Sequence, residues 1–235
     1  MSSNNERFVR AYEELTVEIN RRAHMDNSTA CEIDAAAARD KAVANQKPLL
    51  RYIREVRHAL QHPKGKSAGP PIVVSDPFLQ EVLDVVGKFC NPKTAKDICV
   101  PRGKLFTAQL TSNIRDVADE MRAKYYSHVP ILDDADVVIG VFNEAAIFDY
   151  FSSNEVIDAA RHMLIEDIVR HCRLDTKHTE TFKFMKPSMR DDEIIAAFTK
   201  VGGDLTRVGA LFVTPSGKPT ESITGMITPW DVLAR

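Results

Sequence analysis

"VVIGVFNEAAIFDYF", residues 137–151, returns in altered form as "SITGMITPWDVLAR", residues 222–235. Each stretch is an apolar strand with a central glycine that runs straight into a helix. Each also follows a turn, "DDAD" in the first case and "PSGKPTES" in the second, and a further apolar strand before it. Gly140 and Gly225 stand 85 positions apart, which leaves room for one small α/β unit and a connecting helix. Such a repeat decides the fold, because each copy has an exposed sheet face that the other can cover. A cleft between two similar halves also suits a small ligand.

Upstream of each quoted stretch the same element order is expected. In the first copy "KLFTAQL" (104–110) reads as a strand and "SNIRDVADEMRAKYY" (112–126) as a helix with Ser112 or Asn113 near its N-cap. "HVPIL" and "VVIGVFN" are strands, which gives β-α-β-β-α. The second copy repeats the order with "TETFKFM", "RDDEIIAAFTKVG", "VGALFVT" and "ITGMIT". Between the copies, "SSNEVIDAARHMLIEDIVRHC" supplies one or two helices.

The region up to about Asn91 has a helical period instead. Phe8, Tyr12, Leu15 and Ile19 share one face of a first helix, and Leu49, Ile53, Val56 and Leu60 one face of a second. The alanine-rich "ACEIDAAAARDKAVANQK" has high helix propensity but a weak apolar stripe, so it is expected to be an exposed lead-in to the second helix. Pro63 ends that helix, since the residue before a proline is pushed out of the α region. After a loop, Ser75-Asp76-Pro77 opens a third helix with Phe78, Val82, Val85, Val86 and Phe89 on its apolar face. The expected fold class is α+β: an all-α bundle over residues 1–92, then 93–235 as a pair of repeats at about 97–151 and 176–235.

Composition excludes several classes. At 235 residues, 44% hydrophobic and 27% charged, with a net charge of −2, the chain reads as an ordinary globular protein without a generally basic coat. The start "MSSNNERFVRAYEEL" has no basic n-region before an apolar core, and no apolar run approaches the roughly 20 residues that cross a bilayer. Four scattered cysteines with no C-x-x-C pair suit a reducing compartment, so a cytoplasmic location without membrane partners is expected.

"GMITPWDVL" carries the chemistry. Thr228 ends a strand and Pro229 follows at the favoured first helical position, so Thr228 is an N-cap beside free N–H groups that favour phosphate. Asp231 lies one turn on, where a carboxylate can take a vicinal diol. The pattern of glycine, two apolar residues, Thr, two variable residues and Asp resembles tandem CBS domains, the Bateman module, over about the last 140 residues. The resemblance implies an adenosine-containing regulatory ligand (AMP, ADP, ATP or S-adenosylmethionine), a homodimer, and a nucleotide site at Thr228 and Asp231 with Ile227 and Arg207 beside them. Lys183 and Lys186, near strand ends, are further candidates for phosphate contact. In the first copy Asn143 and Ala146 stand at the matching positions, so one competent site is expected. A ligand-free dimerisation scaffold is the alternative that cap chemistry alone supports.

"RHALQH" (57–62) resembles the short motif of HEPN domains, helical proteins that are often metal-independent ribonucleases. That resemblance implies Arg57 as phosphate-holding cation and His62 as proton carrier, a pair suited to cleaving RNA through its 2′-hydroxyl. Five helical positions place the two about 140° apart, so Pro63 must release His62 or a dimer must pool the residues of both chains. Residues 47–66 hold six Lys/Arg and one acid, a local +5 that makes RNA a candidate partner. The preferred role of this region is dimerisation or partner binding under nucleotide control, carried through a linker at Lys96–Arg102; a nucleotide-gated endoribonuclease is the enzyme alternative. His171, Cys172 and His178 lack a fourth ligand at usual spacing, so no metal is expected.

Overall fold

Ser3 starts the first helix by a reciprocal cap: its hydroxyl accepts the Glu6 N–H at 3.3 Å and the Glu6 carboxylate accepts the Ser3 N–H at 3.0 Å. The protein is seen here as a computed structural model that describes residues 3–26, 32–61, 72–153, 162–174, 180–199 and 207–233. It falls into two units, Met1–Pro92 and Lys93–Arg235.

The first unit is helical: α1 (Asn4–Arg22), α2 (Ile33–Arg39), α3 (Lys41–Gln61) and α4 (Asp76–Cys90). Phe8, Leu15 and Ile19 of α1, Leu50 and Ile53 of α3, and Leu79, Val82 and Phe89 of α4 form its core. Asn5 fastens the strand-like approach to α4, donating to the Ile72 carbonyl and accepting from the Val74 N–H, both at 2.9 Å. The alanine-rich stretch is not an exposed lead-in. Ile33, Ala36 and Val43 are buried, because the chain breaks at Asp40 and packs two helical pieces in succession. Asp40 accepts the Val43 N–H at 3.0 Å and pairs with Arg22 at 2.9 Å. Burial pushes its carboxyl up, but those bonds outweigh burial and hold it below the usual carboxylate range.

In the second unit α5 (Ala95–Ile98) leads into β1 (Val100–Pro101) and a 3-10 turn at Arg102–Lys104. The first repeat continues with α6 (Ile114–Lys124), β2 (His128–Leu132), β3 (Val138–Asn143) and α7 (Glu144–Ser153). After α8 (Ile165–Ile168), the second repeat holds β4 (Glu180–Met185), α9 (Asp191–Thr199), β5 (Arg207–Val213), β6 (Gly225–Ile227) and α10 (Pro229–Leu233). β2 and β3 form an antiparallel pair, while the larger sheet runs β1-β6-β5-β4. β4 is parallel to β5, and β6 is antiparallel to both β5 and β1.

"KLFTAQL" is not a strand. Only Ala108 bridges to Ile131, its N–H donating to the Pro130 carbonyl at 3.0 Å, and the chain then turns as the Gln109 N–H donates to Ser112 Oγ at 2.9 Å.

Each repeat's opening segment is built into the other repeat. Ala95 and Ile98 are buried in the core formed by Ile194, Leu211 and Ile227 of the second repeat. Conversely, Ile165, Ile168 and Cys172 are buried with Val117, Ile131 and Phe142 of the first. The repeated glycines fit this exchange: a Cβ at Gly225 would meet Cys99 Sγ at 2.5 Å, and one at Gly140 the Cys172 carbonyl oxygen at 2.7 Å. Residues 96–102 are therefore no free linker, since Val100 and Pro101 pair with Met226 and Gly225. A third apolar cluster, with Leu132, Val138 and Val141 against Ala210, Phe212 and Ile223, joins the faces of the two repeats.

Candidate functional site

Thr228 lies where β6 gives way to α10, and Asp231 one turn later in that helix. They are bonded to each other: Asp231 Oδ2 accepts the Thr228 N–H at 2.7 Å and the Thr228 hydroxyl at 2.8 Å. The same box recurs at α5, where Asp97 Oδ2 accepts the Thr94 N–H at 2.9 Å and its hydroxyl at 2.7 Å. There the hydroxyl and then the N–H hold the Asp97 carboxyl below its usual range. The Thr-x-x-Asp pattern is thus first a helix start. What separates Thr228 and Asp231 from Thr94 and Asp97 is that they border a cavity of about 300 Å³.

That cavity is built by both repeats. The second gives Met226, Thr228, Trp230 and Asp231; the first gives Leu105, Phe106, Tyr125, Tyr126 and His128, together with Lys104 and Lys124. Its volume is at the lower end of ligand pockets, which run from about 300 to 1,000 Å³. Aromatic rings dominate. Phe106 and Tyr126 stack with centroids 6.1 Å apart, while Tyr125, in a left-handed conformation (φ 58°), and Trp230 stay exposed.

His128 anchors the first repeat's side. Its Nε2 meets Glu180 Oε2 and its Nδ1 meets Ser127 Oγ, each at 2.8 Å, and its ring stands edge-on to Phe182 at 5.9 Å. Gly209 leaves the space for this group, since a Cβ there would lie 2.9 Å from His128 Nε2 and 3.0 Å from Glu180 Oε2.

Two of the four expected nucleotide residues come to the cavity. Ile227 is fully buried in the core of the second repeat, and Arg207 opens β5 away from the cavity, as exposed Lys183 and Lys186 also stand apart from it. Position explains Arg207: it begins β5 as His128 begins β2, so in the exchanged arrangement His128 is its counterpart facing Thr228. Equivalence between "SHVP" and "TRVG" was the sequence signal for His128, but it required knowing that each site draws on both repeats. In the first repeat Asn143 Oδ1 accepts the Ala146 N–H at 2.9 Å, so the matching position is a plain N-cap without a carboxylate.

In the helical unit, the Arg57 guanidinium lies over the Tyr12 ring at 5.4 Å, and its Nε is buried. His62 lies outside the described residues, as do Cys31, His178 and Pro63. Lys47 and Arg51 both pair with Asp34, at 2.7 and 2.5 Å, so part of the +5 of residues 47–66 is offset from outside that segment. The bonds from Arg51 and then Lys47 hold the Asp34 carboxyl at about 2. An open groove of about 430 Å³ runs by Val9, Arg10 and Leu60, but Asn5 at its end is spent on Ile72 and Val74. Among the described residues no three His, Cys, Asp or Glu side chains group to hold a metal, and no helix is long and apolar enough to cross a membrane.

Two α/β halves that trade their opening segments and close over a cavity define a paired-repeat module. Residues 95–153 match the CBS domain family model. No curated protein matches the sequence. Among solved structures, CBSX2 in complex with AMP is similar at 15% identity with a TM-score of 0.44, over 60% of this chain and 94% of that one. CBSX2 from Arabidopsis thaliana is similar at 15% identity and a TM-score of 0.43, over 61% and 94%. CbpB in complex with c-di-AMP is similar at 16% identity and a TM-score of 0.48, over 66% and 91%.

Proposed function

We propose that the second unit is a sensor for an adenosine-containing nucleotide and that occupancy of the cavity regulates the attached helical unit. The observation that carries this reading is the cavity itself: an aromatic, partly enclosed space with one carboxylate at its edge. Asp231 uses Oδ2 on Thr228, and among the described residues Oδ1 has no partner, which leaves it to accept from a ribose hydroxyl. Aromatic faces at Phe106, Tyr125 and Trp230 suit a purine.

Coupling rests on connectivity. The chain leaves the helical unit at Pro92 and passes through α5 into β1, whose partner β6 ends at Ile227, next to Thr228. A ligand that favours one arrangement of Thr228 therefore biases the segment directly attached to the helical unit, in proportion to its unequal affinity for the two arrangements. We place the active form as a homodimer; Phe148, 74% exposed on α7, is a large apolar side chain for such a contact.

Thermal unfolding against a panel of adenosine compounds tests the reading. A compound at a hundredfold excess over its dissociation constant adds about 2.7 kcal/mol of stability. The shift is expected to vanish in Asp231→Ala and to shrink in Asp231→Asn, which keeps an acceptor for Thr228. A shift of equal size in wild type and both variants would remove Asp231 from the site, and no shift with any compound would reduce Thr228 and Asp231 to a helix cap.

A further inference from the structure

A hydroxyl, an imidazole and a carboxylate stand in line at the edge of the cavity. Ser127 Oγ lies 2.8 Å from His128 Nδ1, and His128 Nε2 lies 2.8 Å from Glu180 Oε2. The carboxylate sets the direction of both bonds. An ionised Glu180 can only accept, so Nε2 carries the ring proton, Nδ1 keeps its lone pair, and the Ser127 hydroxyl donates to it. Asn143 Nδ2 donates to the same Glu180 oxygen at 3.4 Å and helps to hold it in place. The order is that of an activated nucleophile: a hydroxyl, its base, and the group that orients the base.

The three members differ in exposure. The His128 side chain is 9% exposed and stands edge-on to Phe182, and that of Glu180 is 23% exposed. Ser127 is exposed and lines the aromatic cavity of about 300 Å³. Base and carboxylate are thus sheltered, while the hydroxyl meets whatever enters. Lys104, Lys124 and the indole N–H of Trp230 border the same space and are donors for a negative oxygen formed there. Serine and histidine belong to the first repeat and Glu180, 52 positions after His128, to the second, so no local motif marks the set.

We propose that this set is an acyl-transfer centre that hydrolyses small carboxylic esters with an aromatic part. Ser127 Oγ bonds to the carbonyl carbon as its proton passes to His128 Nδ1, and the carbonyl electron pair moves onto oxygen. As the carbonyl re-forms, the bond to the alcohol oxygen breaks and that oxygen takes the proton from Nδ1. Water then attacks the Ser127 ester and gives a proton to Nδ1, and Ser127 Oγ leaves with that proton. The products are a carboxylic acid and an alcohol. Ser127 and His128 are the catalytic residues, and Glu180 is a positioning residue. The activity goes beyond the nucleotide reading and does not rest on it.

The full chain is mixed with p-nitrophenyl acetate and, separately, with a fluorophosphonate followed by peptide mass spectrometry. The expected result is a burst of about one nitrophenolate per chain and a phosphonyl group on Ser127. Ser127→Ala should lose both. Glu180→Gln keeps the shape of the side chain, but its amide can donate to Nε2, which moves the ring proton to Nδ1 and removes the acceptor from Ser127. Its kcat should fall about 100-fold or more with KM unchanged, a split that a purely structural Glu180 would not produce. Circular dichroism checks that both variants fold, and labelling of the wild type needs neither. If the label is absent from Ser127, or if either folded variant hydrolyses the ester at the wild-type rate, the proposal fails, whatever adenosine compounds do to the melting temperature.

Discussion

Replacing Gly225 by alanine should strain the exchanged packing of the second unit in a measurable way. The added Cβ would lie 2.5 Å from Cys99 Sγ, 2.9 Å from the Val100 carbonyl oxygen and 3.0 Å from Cys99 Cβ. Carbon contacts are comfortable at about 3.5–4.0 Å, so the sulfur must retreat by roughly 1 Å or β1 must lift from β6. Overpacking of this kind costs about 1–3 kcal/mol. Cys99→Ala removes the closest atom but leaves Cβ and the Val100 carbonyl in place, so the double variant should regain about half of the loss. Urea unfolding followed by Trp230 fluorescence reports on this unit, because Trp230 is the one tryptophan. Gly140 is the contrasting case. There the obstacle is the Cys172 carbonyl oxygen at 2.7 Å, which no side-chain truncation removes, so Cys172→Ala should not relieve Gly140→Ala. A Gly225→Ala variant within about 0.5 kcal/mol of wild type, or one that Cys99→Ala fails to rescue, would refute the close packing of β1 against β6.

Gly87 in α4 has nothing within 4 Å of an added Cβ, and Gly87→Ala should stabilise the helical unit by about 0.5–1 kcal/mol in the same denaturation, followed by circular dichroism. Glu180→Ala leaves the half-buried His128 without its 2.8 Å partner and should cost about 1–3 kcal/mol; a neutral result would mean that water replaces the carboxylate fully. The Asp34 carboxyl, depressed to about 2 by Arg51 and Lys47, contributes stability above its ordinary value near ~4 that is lost as the pH falls through about 2, and a carboxyl titration at the ordinary value would contradict the pairing. Burial raises the Cys172 thiol to about 12, so it should resist a thiol reagent at mildly alkaline pH until the unit unfolds, and prompt labelling in the native state would count against its burial.

Elements with a strong period were legible from sequence alone. Phe8, Leu15 and Ile19 lie on the buried face of α1 as their spacing requires, β2, β3 and β6 fall within the apolar runs that mark them, and β5 begins one residue before its run. The alanine-rich stretch misled because Ala36 is buried by its small size, which carries little weight in an apolar stripe. "KLFTAQL" misled because alternation reports a half-buried chain, which an extended segment with a single bridge also satisfies. The exchange of opening segments was written as a second, fainter repeat, "AKDI" at 95–98 and "IEDI" at 165–168. A local pattern names an element but not the sheet edge it joins. For that reason the sequence pattern sets Arg207 beside Thr228, whereas in the structure His128 borders the cavity with Thr228.

Pairing of β1 with β6 also sets an order of events during synthesis. Val100 is made long before its partner Met226, so the edge of the larger sheet stays open until nearly all of the second unit has left the ribosome. Closing that separation is slow for reasons of chain entropy. A nascent chain stalled after the first repeat would expose Ala95 and Ile98 with no core to receive them, and the two repeats should therefore become protease-resistant together and late, rather than one after the other.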